Sequence, residues 1–213
     1  MQVRKDLKSF LNTLPKNITL VAATKYLDAE HMRAFLLEGI NNFGENRTEA
    51  FLEKYEALKD ENIVWHFIGH LQRNKASDVI NKIDYLHSLD SLKLANIIEK
   101  ERVTPLKVFV EVSINEEESK NGVKVPDLDN FIEQLLHFQK IELVGLMMMS
   151  IKYSDDESLH HQFKKLKEVQ LHLEEKFNIT IPYLSMGMSD DYLEAIEEGA
   201  THIRLGRILF NLL

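Results

Sequence analysis

ITLVAATK (residues 18–25) is an apolar run that ends on an ammonium group. Isoleucine, leucine, valine and two alanines without strict polar alternation describe a strand covered on both faces, as buried parallel strands are. Seven more strand candidates follow: NNFGE (41–45), VWHFIG (64–69), YLHSLD (85–90), LKVFVEVSI (106–114), ELVGLMMMS (142–150), YLSMGMS (183–189) and HIRLG (202–206). Between them the apolar spacing becomes helical, as at Phe51, Leu52, Tyr55 and Leu58, or at Phe163, Leu166, Val169 and Leu173. An amphipathic opening (Val3, Leu7, Phe10, Leu11) precedes the first unit. Eight β-α units predict an α/β fold, a (β/α)8 TIM barrel; strand counting alone leaves an open doubly wound sheet as the alternative. No Pro/Gly/Ser-rich linker or shift in composition divides the chain, so residues 1–213 are expected to form a single domain.

The composition narrows the function. Hydrophobic residues make up 44% and charged residues 28%, as in ordinary globular proteins. The balance of 26 basic against 34 acidic residues gives −8, which argues against nucleic acid and anionic membranes as partners. A local basic pocket for a phosphate remains compatible with it. The absence of cysteine excludes disulfides, thiolate metal sites and a cysteine nucleophile. The opening MQVRKDLKSF lacks the apolar stretch of a signal peptide, and no run approaches the roughly eighteen apolar residues of a membrane span. A cytoplasmic protein is expected.

In a barrel, chemistry sits where strands end at their carboxyl side. Lys25 stands at such a place, and two readings compete. In one, its stem packs on apolar neighbours while the ammonium reaches solvent. In the other, a partly desolvated pocket lowers its pKa and the neutral amine attacks an aldehyde to form a Schiff base. The segment LSMGMSDDYLEAIEEGATHIRLGR (184–207) bears on that choice. It sets Gly187 and Ser189 at a strand end before a helix, and Gly206 after the last strand, where many barrels bind phosphate. Ser189 or Asp190 also reads as an ordinary N-cap, which is compatible; Asp190 and Asp191 have to face away from a dianion. A Schiff-base lysine with a phosphate cup implies a phosphorylated aldehyde, for which pyridoxal 5′-phosphate (PLP) is the candidate. Arg204, near the end of the eighth strand, is placed to donate to a pyridine nitrogen and leave it unprotonated. The competing reading pairs Arg204 with a neighbouring carboxylate.

The order and spacing of LVAATK (20–25), NNFGENR (41–47), WHFIGHLQRNK (65–75), HSLD (87–90), EESKNGV (117–123), LVGLMMMS (143–150), LSMGMSDD (184–191) and IRLGR (203–207) resemble those of the PLP homeostasis proteins. The resemblance runs over nearly the whole chain, with HFIGHLQRNK and LSMGMSDD its most specific parts. It implies a fold-type III PLP-binding barrel, similar to the N-terminal domain of alanine racemases, without their second, β-rich domain. By position it implies Lys25 as the Schiff-base lysine and Arg204 as the partner of the pyridine nitrogen. Ser185, Ser189 and Gly206 are then expected to line the phosphate site with the backbone of Met186 and Arg207, while Asn46, His66 and Met147 lie near the ring. The chain departs from the family's usual pattern at Glu111 and Ser113 in the fifth strand, and at Asn211.

Other features take plainer readings. His66 and His70 straddle a strand and a glycine, so no zinc pair or other metal site is expected. His160 and His161 read as solvated, and Met147–Met149 as core filler. GENRTEAFLEKYEAL (44–58) reads as a turn and an amphipathic helix whose charges face water, and Lys120 as a loop residue. The resemblance favours a carrier that buffers PLP and releases it to apo PLP-dependent enzymes, a monomer or weak dimer without catalytic residues of its own. The alternative is a fold-type III racemase or decarboxylase. That needs a second base; Tyr26 is expected to point away from Lys25 if the strand alternates, which leaves Tyr153 and Tyr183 as the tyrosines that spacing does not exclude. A Schiff-base aldolase is a distant third.

Overall fold

The computed structural model describes residues 2–114 and 121–211. Eight parallel strands pair in chain order: Thr19–Ala23, Asn42–Glu45, Val64–Phe67, Tyr85–Leu89, Leu106–Ser113, Ile141–Met147, Tyr183–Ser185 and His202–Leu205. The eighth pairs back onto the first, with Arg204 opposite Val21, and this closes the barrel and rules out the open sheet. Helix α1 (Leu7–Thr13) leads into the first strand. Around the barrel run α2 (Ala29–Leu37), α3 (Thr48–Ala57), α4 (Ala76–Val79), α5 (Leu92–Glu101), α6 (Leu128–Leu135), α7 (Asp156–Phe177) and α8 (Tyr192–Glu197). Gln2–Val3 pairs antiparallel with Phe210–Asn211, joining the two ends of the described chain.

Local chemistry sets the helix ends. The side chains of Asp28, Ser91 and Asp155 each accept the N–H three residues on and start α2, α5 and α7. Asn178, at φ +51°, stops α7 in the left-handed conformation that asparagine tolerates. The apolar stripe of α7 is buried as its spacing implies: Phe163, Leu166 and Leu173 are inaccessible to solvent.

Seven of the eight strands end one to four residues before the sequence expectation, and two of these stops shape the mouth. The first ends at Ala23, after which Leu27 N–H donates to the Thr24 carbonyl and the chain turns; Lys25 and Tyr26 lie exposed in that turn. The seventh ends at Ser185, because Gly187 sits at φ +91°. A Cβ there would lie 2.7 Å from Ala195 Cβ and 3.0 Å from Tyr192 Cα. Gly187→Ala is therefore expected to cost about 2 kcal/mol from backbone strain and crowding, read as a lower urea midpoint. A loss below about 0.5 kcal/mol would show that the loop relaxes freely.

The barrel interior is unusually polar. Branched aliphatics usually fill this space, but here His66, His87, His202, Arg204, Ser185 and Glu111 are buried. Ring packing crosses the lumen: Phe109 of the fifth strand stacks on His87 of the fourth at 4.2 Å and meets His202 of the eighth edge-on at 5.1 Å. No helix among the described residues is long and apolar enough to cross a membrane.

Candidate functional site

The carboxyl ends of the first, second, seventh and eighth strands gather Lys25, Asn46, Ser189, Gly206 and Arg207, with Arg204 below them in the wall. Lys25 is exposed, its ammonium 4.8 Å from the Tyr26 ring centroid, so it is not buried as a continuation of the strand. The turn that presents it is anchored from beneath. Lys54 Nζ donates to the Thr24 carbonyl at 2.6 Å and to Glu45 Oε1 at 2.5 Å, and Thr24 Oγ1 also donates to Glu45. Glu45 is fully buried and Lys54 nearly so, which corrects the expectation that the charges of 44–58 all face water. Gly69 lets the third loop close on the second: a Cβ there would fall 2.3 Å from the Asn46 carbonyl oxygen. Asn46 Oδ1 is buried and has no hydrogen-bond partner among the described residues.

Arg204 is buried, donating from Nη1 to Ser185 Oγ at 2.6 Å and from Nη2 to the Met148 carbonyl at 2.9 Å. Its nearest partners are thus neutral oxygens rather than a carboxylate. Burial lowers its pKa to about 10, against the pull of Asp191 and Glu111, so it remains cationic at neutral pH. Glu111, on the fifth strand, is pushed up to about 7 by burial and by Asp90, with Arg204 opposing. It is a buried carboxyl at the mouth that sequence reasoning singled out only as a departure from the family pattern.

The expected phosphate residues divide into two groups. Ser189 Oγ accepts from Gly206 N–H at 3.3 Å, and a Cβ on Gly206 would meet nothing closer than Ala23 at 3.6 Å, so that side of the mouth is open. The Arg207 side chain pairs with Asp190 and is exposed. Asp191 folds back, accepting from Met188 N–H at 2.5 Å and from Ser150. Ser185 and Met186, in contrast, are buried below the loop. Ser185 Oγ lies between Arg204 and His87, and Met186 N–H already donates to the His202 carbonyl at 3.1 Å.

His66 also lies inside, not at the mouth: its ring stacks on Tyr85 at 4.7 Å and contacts His87 and Asn42. Met147 is in the wall opposite Glu111 and Ser185. Met147 and Met148 fill core as expected, whereas Met149 is 42% exposed. His160 is not simply solvated. Its Nδ1 meets Glu198 at 2.9 Å, tying α7 to α8, and this contact raises its pKa. Ser113 is half-buried, and Lys120 lies outside the described residues.

Comparisons with known proteins agree with this fold. The family model for the alanine racemase N-terminal domain matches residues 2–213. The chain is 40% identical over 194 residues to the pyridoxal phosphate homeostasis protein of Aquifex aeolicus, covering 90% of this chain and 85% of that one. The Escherichia coli K12 protein of the same name is 30% identical over 202 residues, 92% and 86% of the two chains. PipY of Synechococcus elongatus PCC7942, solved with PLP bound, superposes with a TM-score of 0.92 at 30% identity, over 97% of this chain and 99% of that one. An alanine racemase of Clostridium difficile 630 shares the fold (TM-score 0.80, 15% identity), with all of this chain matching 58% of the racemase. The chain therefore belongs to the alanine racemase N-terminal domain family, among its pyridoxal phosphate homeostasis proteins.

Proposed function

We propose that this protein carries PLP as a Schiff base on Lys25 and acts in intracellular PLP homeostasis, with little catalysis of its own. Arg204 carries the reading: a guanidinium that stays charged, fixed on the strand next to the one that leads to Lys25. The other residues present fit the cofactor. Asn46 Oδ1 is a buried acceptor that lacks a donor among the described residues. Gly206 leaves room beside Ser189 for a phosphate against the backbone of Gly206 and Arg207. PLP, when bound, supplies an aldehyde that condenses with the Lys25 amine and a pyridine nitrogen that accepts a hydrogen bond.

Each side chain then has a defined task. Lys25 offers its amine from an exposed turn, as reversible loading and release require. Arg204 only donates, so it cannot itself deliver a proton to the ring nitrogen at neutral pH and leaves the ring a weak electron sink, which suits a carrier. Tyr153 is fully exposed, and Tyr183 is packed on His202 inside the barrel, so neither is poised as the second base of a racemase. The reading takes residues 1–213 as one cytoplasmic PLP-binding domain, a monomer or weak dimer that passes the cofactor to apo-enzymes.

Absorption titration with PLP tests it. The wild-type protein is expected to develop a Schiff-base band. Lys25→Ala is expected to lose that band while retaining PLP at least about tenfold more weakly through the remaining contacts. Equal binding and an unchanged band in Lys25→Ala would refute the assignment.

A further inference from the structure

A chain of hydrogen bonds crosses the barrel from the mouth to the opposite face. Arg204 Nη1 lies 2.6 Å from Ser185 Oγ, which lies 2.8 Å from His87 Nδ1. His87 Nε2 is 2.9 Å from His66 Nδ1, and His66 Nε2 is 2.9 Å from Asn42 Oδ1. The ends fix every proton between them. A guanidinium only donates, so Ser185 Oγ accepts from it and turns its own hydrogen to His87 Nδ1. His87 then carries its proton on Nε2 and donates to His66 Nδ1, and His66 donates from Nε2 to the Asn42 carbonyl. The Asn42 amide is oriented in turn by donating to Asn41 Oδ1 at 3.0 Å. Both imidazoles must be neutral for this pattern, and burial holds both below their ordinary pKa. At the far end Asn42 lines a recess on the amino-terminal face, beside Lys16 and Asn41.

We propose that His87, His66 and Asn42 are positioning residues that fix the plane of the Arg204 guanidinium through Ser185, so that the cation facing the cofactor ring is aimed from the opposite end of the barrel. This rests on the reading of Arg204 as the partner of the PLP ring nitrogen. A neutral, single-tautomer chain gives the guanidinium one fixed acceptor and keeps a second positive charge out of the lumen. The two histidines thereby have a task that packing alone does not require.

Long-range nitrogen–proton NMR of histidine-labelled wild-type protein without PLP is expected to show His66 and His87 neutral and protonated on Nε2 at pH 7. Asn42→Asp is expected to reverse the chain. A carboxylate at the far end favours an imidazolium at His66, which takes one proton from solvent onto Nδ1 and donates it towards His87. The His87 proton must then sit on Nδ1, two links from the substitution. In PLP titrations His87→Leu is expected to bind roughly three- to tenfold more weakly, while His87→Gln, which keeps an acceptor and a donor, stays near wild type. Protonation on Nδ1 in wild type, an unmoved His87 tautomer in Asn42→Asp, or wild-type affinity in a folded His87→Leu would each overturn the inference. A wild-type protein that takes up no PLP would instead overturn the cofactor reading, and the inference with it.

Discussion

Replacing Lys54 with methionine is expected to remove about 3–5 kcal/mol of stability, because it strands a buried carboxylate. Glu45 is inaccessible to solvent and its Oε2 already lacks a partner among the described residues; Oε1 is held by Lys54 and Thr24. Methionine fills the volume of the lysine stem but leaves Glu45 and the Thr24 carbonyl without their ammonium donor. Adding Glu45→Gln to Lys54→Met is expected to restore roughly half of the loss, since an uncharged amide is cheaper to bury than a carboxylate. Urea unfolding of the single and double variants measures both. A loss under about 1 kcal/mol in Lys54→Met would mean that the pair behaves like a surface ion pair. Because Thr24 immediately precedes Lys25, the same variant is expected to loosen the turn that presents the lysine.

Acid is expected to unfold this protein steeply. Burial, reinforced by neighbouring positive charge, lowers His66 to about 3, His202 to about 4 and His87 well below its ordinary value. The unfolded chain protonates these rings around pH 6.5, so between pH 6.5 and 4 the unfolded state binds the additional protons. Their contribution is fully present above pH 6.5 and is lost as pH falls towards the folded values. Glu111 works in the other sense. Raised to about 7, it stabilises fully below its unfolded value near 4.5, and that contribution is lost as pH rises through 7. Between pH 6 and 5 three histidines outweigh one carboxyl, a net of about two protons, or on the order of 2–3 kcal/mol lost per pH unit. Urea midpoints measured from pH 8 to 5 are expected to fall accordingly. Glu111→Gln is expected to raise stability at pH 8 and to steepen the decline below pH 7. A flat profile between pH 7 and 5 would mean that the histidines are not buried as neutral groups.

The barrel was legible because parallel strands advertise themselves: ITLVAATK and LKVFVEVSI are runs that only a two-sided core accommodates. The strand ends were not, since Lys25 and Gly187 leave the sheet for reasons of turn geometry that apolar patterning does not register. The polar lumen was partly legible. Alternation puts Tyr85, His87 and Leu89 on one face of the fourth strand, and Phe109 and Glu111 on one face of the fifth. Which face turns inward, and which side chains meet across the lumen, depends on strands far apart in sequence, as the His87–Ser185 contact shows. Ser185 was read with Ser189 as lining a phosphate site, yet the three residues between them carry the chain from the barrel wall to its rim. Lys54 was read as solvated because one helical position carries no sign of a carboxylate nine residues earlier that lacks a cation.

Borohydride reduction of the protein loaded with PLP, followed by peptide mass mapping, tests the central claim most directly. A single reduced pyridoxyl adduct on Lys25, absent when borohydride is withheld, is the expected result. An adduct spread over surface lysines, or none at all, would contradict it and return Lys25 to an ordinary exposed lysine at the rim of a barrel.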